Sequence, residues 1–234
     1  DLLEDAWNGT GQFQGTEPIR GFGAVAGVYE EACQIVVRAD SEISTVEELE
    51  GHRVSVGEEE SGTKQNALQI LAAYGLNEKL VEEVSLNYTE AAKELENGSI
   101  DAFFCTAGAQ TAAIANLAQR TGIRFLNVDG AAAARLKKSY PVYDSCIIAA
   151  GTYPGQEEDV STVGVKAVLL ASDSVSAEVV EELTALLFEE QQELDFALPV
   201  ELITDADAAA DGISVPFHKG AERYYESRGE KSEN

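Results

Sequence analysis

From Arg53 to Val128 the chain alternates short apolar runs with amphipathic stretches. Val54-Ser55-Val56 reads as a strand. Lys64 to Tyr74 places Ala67, Leu68, Leu71 and Tyr74 on one face and stops at Gly75, which predicts a helix. Leu80 to Leu86 is predicted as a strand, and Thr89 to Glu96 as a helix stopped by Asn97-Gly98. Ile100 to Cys105 is an apolar strand, Gln110 to Arg120 an Ala-rich helix, and Ile123 to Val128 a further strand. Strands alternating with helices in this way predict an α/β fold, its parallel sheet covered on both faces.

The flanks are less regular. Residues 1–23 are polar and Gly-rich, with Trp7, Phe13 and Phe22 as anchors. Cys33 to Arg38 reads as a strand. Ser44 to Gly51 reads as a short helix, with Thr45 and Glu48 at capping-box spacing and Gly51 as its stop. Lys137 to Asp159 shows little periodicity. Beyond it a strand is predicted over Val163 to Leu170 and a long helix from Ser176 to about Leu194. That helix carries Val179, Val180, Leu183, Leu186 and Leu187 at helical spacing. Residues 195–217 read as connecting material and Gly220 to Ser227 as a last short helix.

Composition narrows the function classes. Among 234 residues there are 16 Lys+Arg against 42 Asp+Glu, a net charge of −26. Nucleic acid is excluded as a partner, since its phosphates must be neutralised by Lys and Arg, and the same charge opposes docking on an anionic membrane. The longest uncharged run, Ala102 to Gln119, is interrupted by Thr, Gly, Gln and Asn, so it is no transmembrane span. No signal peptide and no Met are present, so the chain reads as a processed protein or one that starts partway in. Three unclustered cysteines, Cys33, Cys105 and Cys146, suit neither a zinc knuckle nor a disulfide framework and read as buried thiols.

Two strand-to-helix junctions carry the candidate chemistry, because helix N-termini at the carboxyl ends of strands present free N–H groups to anions. The first is Gly57-Glu58-Glu59-Glu60-Ser61-Gly62-Thr63. Its Gly62 admits close approach, and Ser61 and Thr63 offer hydroxyls. Ordinary N-capping by either hydroxyl explains the same residues. A phosphate loop is disfavoured, because Gly62-Thr63-Lys64 is not Gly-Lys-Ser/Thr and three glutamates precede it. The second junction is Cys105-Thr106-Ala107-Gly108-Ala109-Gln110, which close helix–strand packing would also explain. Catalysis is not supported: His52 and His218 are the only histidines, and neither a nucleophile elbow nor a Cys-x-x-Cys occurs. No cofactor or metal site is indicated.

Several segments together resemble the TAXI family, the extracytoplasmic solute receptors of TRAP-type transporters. They are Gly51-His52-Arg53-Val54-Ser55-Val56-Gly57, Ser61-Gly62-Thr63, Ala73-Tyr74-Gly75-Leu76, Asn97-Gly98-Ser99-Ile100-Asp101-Ala102-Phe103-Phe104 and Ala107-Gly108. Gly151-Thr152-Tyr153-Pro154-Gly155-Gln156 and the run Val215 to Tyr225 continue the likeness over nearly the whole chain.

The resemblance implies a two-lobed fold of the type II periplasmic-binding-protein kind, each lobe a mostly parallel sheet covered by helices. Lobe one would be 1–42 plus 164–234 and lobe two 43–163, joined by crossing strands at Cys33 to Arg38 and Val163 to Leu170. The implied ligand is a small carboxylate such as glutamate, glutamine or a dicarboxylate, and the implied partner is the membrane subunits of a TRAP transporter. The implied location is extracytoplasmic. Carried over residue by residue, Ser61, Gly62 and Thr63 would cradle the carboxylate. Thr106, Ala107 and Gly108 would wall it, and Tyr29 and Tyr153 would lie nearby. The family's opening strand and Gly-rich loop have no counterpart here, which implies a truncated lobe one. A ligand-sensing extracellular domain of a signalling protein on the same fold is the alternative.

Overall fold

A computed structural model describes residues 2–189 and 200–232. They fall into two compact units, Glu31–Val165 and the pair of segments Asp1–Glu30 with Lys166–Asn234. Residues 31–42 group with the central segment, twelve positions ahead of the boundary expected at 42/43.

The Glu31–Val165 unit is built on one mixed sheet. In chain order its strands are β1 (Phe22–Arg38, entering from the other unit), β2 (Arg53–Ser55), β3 (Glu82–Val84), β4 (Ala102–Ala107), β5 (Ile123–Phe125), β6 (Asp144–Ile148) and β7 (Val160–Ser172, which runs on into the other unit). Their spatial order is β3-β2-β4-β1-β7-β6, with β5 also paired to β1. The predicted βα alternation recurs as helices α2 (Gly62–Ala73), α3 (Tyr88–Glu96) and α4 (Ala112–Arg120). α3 begins with a full capping box between Asn87 and Glu90.

A mostly parallel sheet is not what forms. β2 pairs parallel with β3 and β4, but β1 lies antiparallel to β4 and to β5, and β6 antiparallel to β7. β5 therefore points the same way as β2 and β4, as its βα context requires. β1, running the opposite way, is inserted between β4 and β5. Alternation along the chain fixes a strand's direction but not its neighbour.

Side-chain alternation divides this unit into two cores. Cys33, Ile35, Val37, Val54, Val56, Ala102 and Phe104 face α2 and helix α5 (Gly130–Ser139). Ala32, Val36, Phe103 and Cys105 face α3 and α4, where Leu95, Ile114 and Leu117 close the layer. Between residues 137 and 159 the structure has the end of α5 and all of β6, neither of them predicted. The helix expected over 44–51 is a single 3-10 turn, Glu47–Leu49. Only half of its capping box forms: the Glu48 carboxylate accepts from Ser44 and Thr45 N–H, and no cap side chain answers it.

The other unit contains α1 (Leu2–Asn8), the first part of β1, the last part of β7, α6 (Ala177–Glu189), a short helix Ala206–Ala210 and the C-terminal helix Lys219–Ser232. Trp7 packs edge-on against Phe22, with the Arg20 guanidinium over the indole. Ala206–Ala210 falls in the stretch expected to be connecting material. The predicted end of α6, residues 190–194, lies outside the described residues, as do residues 195–199 of that stretch. α6 buries a narrower stripe than predicted. Val180 and Thr184 are buried and Leu187 packs on Val25 and Ala221, while Val179, Leu183 and Leu186 remain exposed. The C-terminal helix crosses α6 closely at Gly220, which lies against Ala177, Val180 and Glu181. His218 is buried at the start of that helix, its Nδ1 accepting the Gly220 N–H.

Candidate functional site

β2 and β4 are adjacent and parallel, and each leads into a helix. The crossover through α2 leads out to β3 on one side, while β4 lies on the other side of β2. α2 belongs to one core and α4 to the other. The N-termini of α2 and α4 thus open at a topological switch point, the crevice where open α/β sheets bind ligands. Each terminus carries roughly half a positive charge and free N–H donors.

At the α2 junction Ser61 is the N-cap, accepting from the Lys64 N–H at 3.1 Å while donating to the Glu58 carbonyl at 2.7 Å. The capping reading of Ser61 is realised, and the hydroxyl is engaged on both sides. Thr63 is buried, its hydroxyl 2.5 Å from that of Tyr88. Tyr88 in turn donates to the Thr106 carbonyl at 2.9 Å. The Thr106 hydroxyl receives Asn66 Nδ2 at 3.4 Å and points to Cys33 Sγ at 3.7 Å. One hydroxyl network therefore joins the two predicted junctions. Ser61, Gly62, Thr63, Thr106, Ala107 and Gly108 all lie in the Glu31–Val165 unit.

The α4 junction is built differently. Its N-cap, Thr111, makes no side-chain cap bond and instead donates its hydroxyl to the Gly108 carbonyl at 2.9 Å. The backbone enters with Gln110 at φ 66°, and the α2 junction has Glu60 at φ 61°. These are the only two non-glycine residues in the left-handed region among the described residues. Each such residue carries a conformational cost, and one sits in each junction.

Tyr153 is 1% exposed. Its hydroxyl donates to Gln34 Oε1 at 2.6 Å and accepts the Thr111 N–H at 3.0 Å, so it holds the α4 junction from inside. Gln34 Nε2 reaches the Ala107 carbonyl at 3.4 Å. Tyr153→Phe would orphan the Gln34 carbonyl and the Thr111 N–H together, at a cost of about 2 kcal/mol. Chemical denaturation of the purified variant, followed by circular dichroism, checks this. Tyr29 lies in the other unit, bridged to Leu202.

The sequence reading did not single out Gln34, Asn66, Tyr88 or Thr111. Tyr88 opens α3, one residue ahead of the helix expected over Thr89 to Glu96, so its place at the strand ends could have been found. Gln34 and Asn66 need the sheet register.

The electrostatics suit an uncharged donor set. Lys64, on the first turn of α2, is held by Glu59 at 2.6 Å. Burial pushes the Tyr88 hydroxyl and the Cys33 and Cys105 thiols up to about 12, so none ionises near neutrality. Among the described residues no group of three or more His, Cys, Asp or Glu side chains could hold a metal. A cavity of about 540 Å³ lies at the opposite strand ends, where Arg38 is paired with Asp40 and His52 Nδ1 lies 3.2 Å from the Asp101 carboxylate. Asp40, Glu42 and Glu48 also line it.

The fold is α/β, a mixed sheet with helices on both faces, and the N-termini of α2 and α4 follow neighbouring parallel strands. Residues 1–229 match the model of the NMT1-like family, and the chain belongs to that family. It is similar to the periplasmic aliphatic sulphonate binding protein SsuA of Escherichia coli at 19% identity and TM-score 0.44, over 76% of this chain and 53% of that one. The alkanesulfonate-binding protein SsuA of Xanthomonas axonopodis pv. citri, bound to MOPS, matches at 16% identity and TM-score 0.44, over 85% and 59%. A TctC solute binding protein from Polaromonas matches at 16% and 0.48, over 89% and 69%. The chain spans roughly half to two thirds of the length of these structures. Among the described residues no helix is long and apolar enough to cross a membrane.

Proposed function

We propose that this protein is an extracytoplasmic solute-binding receptor of the TAXI kind, serving the membrane subunits of a TRAP-type transporter and catalysing no reaction. Its ligand is a small carboxylate. The carboxylate lies against the N-termini of α2 and α4, at Ser61, Gly62 and Thr63 on one side and Thr106, Ala107 and Gly108 on the other. Tyr153 acts behind them as a positioning residue, and Tyr29 is a further candidate residue.

The observation that carries this reading is the hydroxyl network from Thr63 through Tyr88 to Thr106, which ties two uncharged anion-binding helix ends together at one switch point. Backbone N–H groups at the two helix ends bind carboxylate through charge-assisted hydrogen bonds, each contributing roughly 1.5–3 kcal/mol. At a net charge of −26 long-range steering opposes such a ligand, but salt screens it beyond about 8–10 Å. Short-range donors decide the outcome.

A thermal-shift panel tests the reading, with glutamate, glutamine, 2-oxoglutarate, succinate and neutral controls. A ligand at about 100 times its dissociation constant stabilises the native state by roughly 2.7 kcal/mol, which raises the melting midpoint by a few degrees. A selective shift with a carboxylate is expected. A shift with neutral controls alone would overturn the assignment.

A further inference from the structure

We draw no further inference here: the strongest candidate, the row of Val179, Leu183 and Leu186 left exposed along α6, is an unpartnered apolar helix face, and nothing in the structure shows what covers it.

Discussion

Phe103→Ala is expected to destabilise the Glu31–Val165 unit by about 3–5 kcal/mol, the range for truncating a fully buried aromatic side chain. Phe103 is 0% exposed on β4, which lies between β2 and β1, and its ring is enclosed by the layer of Leu95, Ile114 and Leu117. The helices above it are fixed at both ends. α3 is held by its capping box, and α4 by Thr111 and by the Arg120–Glu96 ion pair at 2.9 Å. The layer therefore cannot collapse into the space, and the cavity term adds to the lost transfer energy. Native-state hydrogen exchange of the α3 and α4 amides measures the effect in the unit where it arises. Protection unchanged to within about tenfold would contradict this account of the core.

Gly220→Val should be the most damaging substitution in the other unit, at about 3 kcal/mol, the upper end for overpacking a close contact. A Cβ at Gly220 would collide with the Ala177 carbonyl oxygen and stand 2.7 Å from the Glu181 nitrogen and 2.8 Å from Val180 Cβ. Two of those three atoms are α6 backbone, so no rotamer change relieves the clash, and the helices must separate. Phe188 stacked on Tyr224 and Phe217 edge-on to Tyr225 depend on the same approach. Loss of exchange protection in α6 and the C-terminal helix, together with a lower melting midpoint, would register the change. An unaltered midpoint would refute the close crossing.

Much of the Glu31–Val165 unit could be read from spacing. α2 and α3 announce themselves by caps, by buried residues at helical intervals and by Gly75 and Gly98 as stops, all of them local signals. β6 gives no such signal. Asp144 and Ser145 are exposed and Ile147 is 65% exposed, so its membership of the sheet depends on pairing with β7 rather than on an apolar pattern. α5 is masked by its own composition, since a run of four alanines has helix propensity but no face. The junction residues Ser61 to Thr63 and Thr106 to Gly108 were legible because a strand handing over to a helix is itself a sequence pattern. Gln34 and Asn66 were not, because only the register of β1 against β4 and the turn of α2 bring them to the strand ends.

The two units differ in how the chain supplies them. Glu31–Val165 is a single uninterrupted stretch whose two ends run side by side, with the Thr162 hydroxyl on the Cys33 carbonyl at 2.6 Å. The other unit draws Asp1–Glu30 and Lys166–Asn234 from opposite ends, and its contacts span long separations, 200 residues for the Tyr225 hydroxyl on the Val25 carbonyl. Such closures are entropically slow to form. The inner stretch can therefore close on itself, whereas the other unit forms only when two segments separated by the whole of Glu31–Val165 meet.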